Sequence, residues 1–228
     1  PLRLALKHGG SVQDWLITSK TIRSTDGSGN TVLHYAAEWQ YENAISSLLI
    51  KGADINVKNA NGETCLFSAV KTNNPAIIQL IIDGGASIKE RDNLGSTPLH
   101  AAVRWDAITS IEKLIELGIN INAQNSAGKS PLAEAVLSGK YEVSKYLLEH
   151  GADVNCSDRN GVTILMDTIR GKNGDLVKLL LDYGANPNLQ EINGRNAYHE
   201  AAVTGDISII TLIRDAGVNP LSRDKQGN

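Results

Sequence analysis

Glycine recurs along this 228-residue chain with a fixed step of 33. One series runs Gly29, Gly62, Gly95, Gly128, Gly161, Gly194 and Gly227, and a second runs Gly52, Gly85, Gly118, Gly151, Gly184 and Gly217. Two interleaved series in one register constrain the fold more than any local motif. The chain must be a row of like units, each completed by its neighbours.

The chemistry of one unit can be read from the residues around each glycine. Three positions before the first series stand Asp26, Asn59, Asp92, Asn125, Asp158, Glu191 and Asp224. Asp or Asn at the first position of a turn, with glycine at the fourth, is a type I turn signature. Two positions after the glycine come Thr31, Thr64, Thr97, Ser130, Thr163 and Asn196. Each of these can cap a helix by accepting a backbone N–H bond. Pro98 and Pro131 follow at the first helical position, where no N–H bond is lost.

Leu33, Leu66, Leu99, Leu132, Leu165 and Tyr198 then anchor a core, and Ala36, Ala69, Ala102, Ala135 and Ala201 let helices approach closely. Thr168 is the exception in that slot. A break follows, marked by Gly139 and Gly205 in two blocks. A second helix then carries paired aliphatics such as Leu48-Leu49, Ile81-Ile82 and Leu180-Leu181. The second glycine series closes that helix as a left-handed cap. Helices of about 8 to 10 residues are marginal alone in water, so each block needs its neighbours.

Thr97-Pro98-Leu99-His100-Ala101-Ala102 and Thr31-Val32-Leu33-His34-Tyr35-Ala36 carry a family resemblance, as do Gly151-Ala152-Asp153-Val154-Asn155 and Gly52-Ala53-Asp54-Ile55-Asn56. With the 33-residue period, they resemble the ankyrin repeat. The resemblance implies an all-α repeat solenoid of stacked helix-turn-helix units with β-hairpin-like turns. The expected blocks are residues 29–61, 62–94, 95–127, 128–160, 161–193 and 194–226, the last a possible C-terminal cap. Residues 1–28 form a degenerate leading repeat in which Val12, Trp15, Leu16 and Ile22 keep the phase. Residues 227–228 begin a further repeat or end the chain. Departures are local: Met166 and Thr168 in the fifth block, and Arg214 in place of an aliphatic in the sixth.

Composition excludes several functional classes. Aromatics are 4% of the chain, so its 41% hydrophobic content is largely aliphatic and alanine, which suits thin stacked helices. Each of the five blocks from Gly29 to Asn193 carries a net −1, and the sixth carries 0. That gives no basic stripe for nucleic acid. No apolar run nears the length needed to cross a bilayer. Cys65 and Cys156 have neither disulfide-framework nor metal-site spacing, so reduced thiols and a cytoplasmic setting are expected. A secretory leader already removed would leave no trace.

Catalytic and metal motifs fail on inspection. His199-Glu200 lacks the second histidine of a zinc-protease helix. Gly128-Lys129-Ser130 resembles the end of a phosphate loop, but Ala123 stands where the earlier glycine belongs. His34, His100 and His199 share one slot, about 10 Å apart per block by helix packing distances, too far to share a metal. The resemblance implies that they bond the backbone of neighbouring turns. No catalytic residue, metal or cofactor is expected.

Comparison between blocks yields the candidate binding residues. The slot ten residues after the first glycine holds Trp39, Thr72, Trp105, Ser138, Gly171 and Thr204. A slot that accepts glycine, serine and threonine is not core, so Trp39 and Trp105 are expected to be exposed, and tryptophan is enriched at binding hot spots. Four residues earlier stand Tyr35, Ser68, Ala101, Glu134, Asp167 and Glu200, on the same helix face. Lys71, Arg104 and Arg170 lie between the two slots.

By the resemblance, the first-helix face and the turn tips form a concave partner-binding surface. Tyr35, Trp39, Lys71, Arg104 and Trp105 would supply its aromatic and basic part, and Glu134, Asp167 and Glu200 an acidic stripe. Leu94 and Ile192 add apolar turn tips. The expected function is a monomeric protein-interaction scaffold that binds a peptide or domain with an apolar anchor and some basic character. The alternative is a targeting or regulatory segment of a larger enzyme, channel or secreted effector.

Overall fold

The computed structural model describes residues 19–228. Val12, Trp15 and Leu16, and with them most of the expected leading repeat, lie outside the described residues. The rest is helical in pairs. First helices run Val32–Glu38, Cys65–Lys71, Pro98–Arg104, Pro131–Leu137, Ile164–Arg170 and Ala197–Thr204. Second helices run Glu42–Ile50, Pro75–Asp83, Ile108–Glu116, Tyr141–Glu149, Gly174–Asp182 and Ile207–Asp215. A short helix, Ser19–Ile22, precedes them. The class is an all-α repeat solenoid. Most first helices have seven residues, slightly shorter than the sequence suggests.

The turns form as the Asp/Asn-x-x-Gly pattern requires. Asp26 Oδ1 accepts from the backbone N–H groups of Ser28 and Asn30, both at 2.9 Å. The Gly29 N–H donates to the Asp26 carbonyl at 3.0 Å. The strands flanking the turn touch at Thr25–Thr31 and again at Ser157–Thr163, which gives these turns their hairpin character. Each turn then docks on the next. The Ala60 N–H donates to the Ser28 carbonyl and the Asn93 N–H to the Asn61 carbonyl, both at 2.9 Å. This close approach explains Gly62: its φ is +76°, and a Cβ there would lie 2.8 Å from the Asn93 nitrogen.

Helix capping is more varied than expected. Ser130 and Thr163 accept from the Ala133 and Met166 N–H groups at 3.2 and 3.3 Å. Thr31 and Thr97 do not cap in this way. Their hydroxyls lie 2.9 and 2.8 Å from Nδ1 of His34 and His100. That Nδ1 accepts the cap residue's own N–H at 3.1 Å. The Thr64 hydroxyl is buried without a hydrogen-bond partner.

The described residues fall into two compact units that divide after Asn120. In the first, Val32–Glu38 packs on Cys65–Lys71, which packs on Pro98–Arg104, and the second helices stack in the same order. Leu48, Leu66, Phe67, Ile81, Leu99 and Ile111 are fully buried there. Each such side chain contributes about 1.5–3 kcal/mol by leaving water. In the second unit, Ile164–Arg170 packs between Pro131–Leu137 and Ala197–Thr204. Thr168 is tolerated in the small-residue slot because its hydroxyl donates to the Ile164 carbonyl at 2.6 Å. Arg214 is exposed and bonds its own neighbour, Asp215.

The break between paired helices has one geometry throughout. Gln40, Asn73, Asp106, Gly139, Lys172 and Gly205 occupy one slot, and all have φ between 55° and 70°. Four of the six are not glycine. The backbone takes this left-handed turn because the following N–H must reach back to the first helix, as Tyr41 does to the Ala36 carbonyl at 2.9 Å.

Candidate protein-binding face

Within the first unit the candidate residues sit at the ends of first helices. Trp105 follows Pro98–Arg104 and is 60% exposed. Beside it, Arg104 is fixed by two contacts: Nη1 donates to Ser96 Oγ at 3.1 Å and Nη2 to Asp92 Oδ2 at 3.3 Å. Lys71 is held the same way, with Nζ 3.2 Å from Glu63 Oε2. Leu94, at a turn tip, is 67% exposed.

Tyr35 and Trp39 depart from the exposed pair expected. Tyr35 is buried, and its hydroxyl donates to Asp26 Oδ2. Trp39 is half-buried. Its ring lies 5.1 Å from that of Tyr35 and 6.4 Å from that of Tyr41, which it meets edge-on. Tyr35 therefore backs the tryptophan and presents little surface of its own. Tyr41 completes the cluster. It escaped the sequence reading because it lies beyond the helix, past the left-handed Gln40.

The acidic residues of the second unit are largely committed within the fold. Glu134 Oε1 accepts from the turn residue Asn125 at 2.9 Å. Asp167 Oδ1 accepts from Arg170 Nη1 at 3.0 Å. Glu200 is 4% exposed, which corrects the picture of a solvated stripe. Its Oε2 accepts from Arg170 Nε at 2.8 Å. Its Oε1 lies 3.1 Å from Arg195 Nε, close enough for an ion pair although the N–H is not aligned for a hydrogen bond. The bond to Glu200 holds the Arg170 guanidinium more firmly protonated than usual. Glu200 thus orders two cations on the surface. Exposed apolar side chains in this unit include Ile192, Leu137 and Val203, besides Ile207 and Leu221; sequence comparison missed Leu137 and Val203 because their slot otherwise holds charges.

The remaining chemistry is structural. His34 Nε2 donates to the Glu63 carbonyl at 3.0 Å, and His199 Nε2 lies 3.3 Å from the Asn228 carbonyl, each 29 residues on. His34 and His199 therefore bond the next turn, as the resemblance implies. Burial pushes the Cys65 thiol up to about 12, and both cysteines are free thiols. Among the described residues, no three His, Cys, Asp or Glu side chains converge as a metal would need. No helix among them is long and apolar enough to cross a membrane.

The family model for ankyrin repeats (3 copies) matches residues 1–59, 46–125 and 132–224, most of the chain. The chain belongs to the ankyrin-repeat family. Two solved ankyrin domains resemble it. The ankyrin repeat domain of Bcl-3, described as a unique member of the IkappaB protein family, is 28% identical with a TM-score of 0.81. That match covers 88% of this chain and 92% of the other. The human ASB11 ankyrin repeat domain is 24% identical with a TM-score of 0.77, covering 96% and 99%, and shows the fold alone. No curated protein matches the sequence. Ankyrin domains are in general non-catalytic modules that mediate contact between proteins.

Proposed function

We propose that this ankyrin domain is a scaffold that grips a protein partner on the first-helix and turn-tip face. In the first unit, Trp105 is the central anchor, flanked by Arg104 and Lys71, with Trp39 held in place by Tyr35. In the second, Asp167 offers its half-open carboxylate to a basic side chain, while Glu134 steadies the turn through Asn125 and Glu200 acts from beneath by fixing Arg170 and Arg195. The observation that carries this reading is Trp105: a large indole 60% exposed beside a guanidinium already immobilised by Asp92 and Ser96. A side chain ordered before binding loses little entropy on binding.

The partner that fits is a peptide or domain with an apolar anchor for the indole. The test is affinity capture from native lysate with the unaltered chain and a Trp39→Ala/Trp105→Ala variant side by side. The captured partner should lose at least ~2 kcal/mol of affinity, about 30-fold, for the variant. Equal affinity, with folding intact by circular dichroism, rejects the assignment.

A further inference from the structure

Charges on the first-helix face are layered, with acids beneath and cations outward. In the second unit the Glu200 side chain is 5% exposed, whereas its two partners, Arg170 and Arg195, are 43% and 32% exposed. In the first unit Asp92 lies beneath Arg104 in the same way, 6% against 36%. Glu63 lies beneath Lys71 with a smaller difference. Asp167 is the exception: its carboxylate is half-open, with Oδ1 accepting from Arg170 Nη1.

This layering decides what the second unit can still bond. Glu200 Oε2 accepts from Arg170 Nε and Oε1 faces Arg195 Nε, so both oxygens are occupied from within. Among the described residues, nothing accepts from Arg170 Nη2 or from either Nη of Arg195. The surface is left with N–H donors, fixed by a buried acid and lacking an acceptor. A guanidinium fork matches a carboxylate, and donors ordered beforehand lose little entropy on binding.

The flanks of Arg170 are apolar. Its slot holds Leu137 one block earlier and Val203 one block later, both exposed. The three first helices pack in that order. Packed helices lie about 8–10 Å apart, so apolar, cation and apolar follow one another at that step. A polyproline II segment repeats its face every third residue, after about 9.3 Å, which matches.

We infer that Arg170 and Arg195 receive a carboxylate from an extended partner segment, in which one Asp or Glu has an apolar residue about three positions away on each side, resting on Leu137 and Val203. The inference depends on the first-helix face being the partner face and adds the chemistry of the segment gripped by the second unit. A carboxylate fits better than a phosphate dianion. Arg170 and Arg195 already face Glu200 and Asp167, two charges of each sign, so nothing remains to balance a second negative charge.

The test is an NMR titration of the nitrogen-labelled 228-residue chain with acetyl-Leu-Pro-Pro-Glu-Pro-Pro-Leu-amide. The amides of Arg170–Lys172 and Ala202–Thr204 should shift. The same peptide with Gln for Glu should bind about fivefold more weakly, the worth of one exposed ion pair. Val203→Glu, at an exposed position, should abolish binding without changing the fold, and Arg195→Gln should weaken it. Trp39→Ala/Trp105→Ala should leave peptide affinity unchanged, so this inference and the tryptophan assignment fail separately. The inference is overturned if the Glu peptide does not bind, if the Gln peptide binds equally, if a phosphoserine peptide binds more tightly, if Val203→Glu or Arg195→Gln has no effect, or if the double tryptophan variant loses the peptide.

Discussion

The Tyr35 hydroxyl donates to the carboxylate of Asp26, nine residues before it and at the head of the preceding turn. One bond thus joins a turn to the helix that carries Trp39. It is the main reason the Asp26 carboxyl sits at about 2, with the backbone N–H groups of Asn30 and Ser28 adding to the effect. Because the folded value lies below the unfolded one, the stabilisation is present above pH ~4 and is lost as pH falls toward 2. Tyr35→Phe should raise the Asp26 carboxyl toward its ordinary value, read by carbon NMR titration. An unchanged titration would show that the turn amides alone depress it.

His34 makes a second demand on pH, in the same direction but in a higher window. Burial holds its imidazole below the usual histidine value, and Nδ1 must remain an acceptor for the Thr31 N–H. The unfolded chain therefore binds a proton more readily than the folded one. This contribution is complete above pH ~6.5 and shrinks as pH falls below it. Melting temperature should drop between pH 7.5 and 5.5, and His34→Gln should make that drop smaller. An equal drop in the variant would place the sensitivity elsewhere.

Lys172 pays for a conformation that glycine adopts freely. Its φ is 55°, in the slot where two other blocks place Gly139 and Gly205. A left-handed non-glycine residue costs about 1–2 kcal/mol, offset in part by the larger entropy glycine loses on folding. Lys172→Gly should stabilise the chain by about 0.5–1 kcal/mol in urea unfolding. Destabilisation would mean that the Lys172 side chain contributes more than its backbone strain.

Glu200 and Asp167 share a slot and should behave differently. Glu200 is buried between Arg170 and Arg195, whereas Asp167 pairs with Arg170 at a half-open surface. Glu200→Gln should cost about 1–2 kcal/mol of stability by removing the buried carboxylate that Arg170 and Arg195 share, leaving Arg170 with Asp167 alone. Asp167→Asn should change stability by less than ~0.5 kcal/mol. Thermal melts of the two variants decide the matter, and equal effects would remove the distinction.

The parts of this molecule legible in the sequence are those its period repeats. Asp26, Gly29 and Thr31 recur in kind seven or six times, so turn, cap slot and helix start could be read off together. Contacts peculiar to one block were not legible. Nothing local to Glu200 announces Arg170, which comes from the block before. Tyr35 shares its slot with Ser68 and Ala101, which conceals that its ring is buried and its hydroxyl tied to Asp26. The left-handed slot showed only where it holds Gly139 and Gly205, because Gln40, Asn73, Asp106 and Lys172 carry no conformational signature strong enough to read.

The central claim is that a protein partner lies against the first-helix face. A photo-crosslinking residue placed at Trp105, and in a separate chain at the exposed Glu112 on the second helix Ile108–Glu116, tests it in native lysate. The predicted result is a discrete protein adduct from position 105 that competes with the unlabelled chain, and none from position 112. An adduct from 112 alone, with position 105 silent, would contradict it.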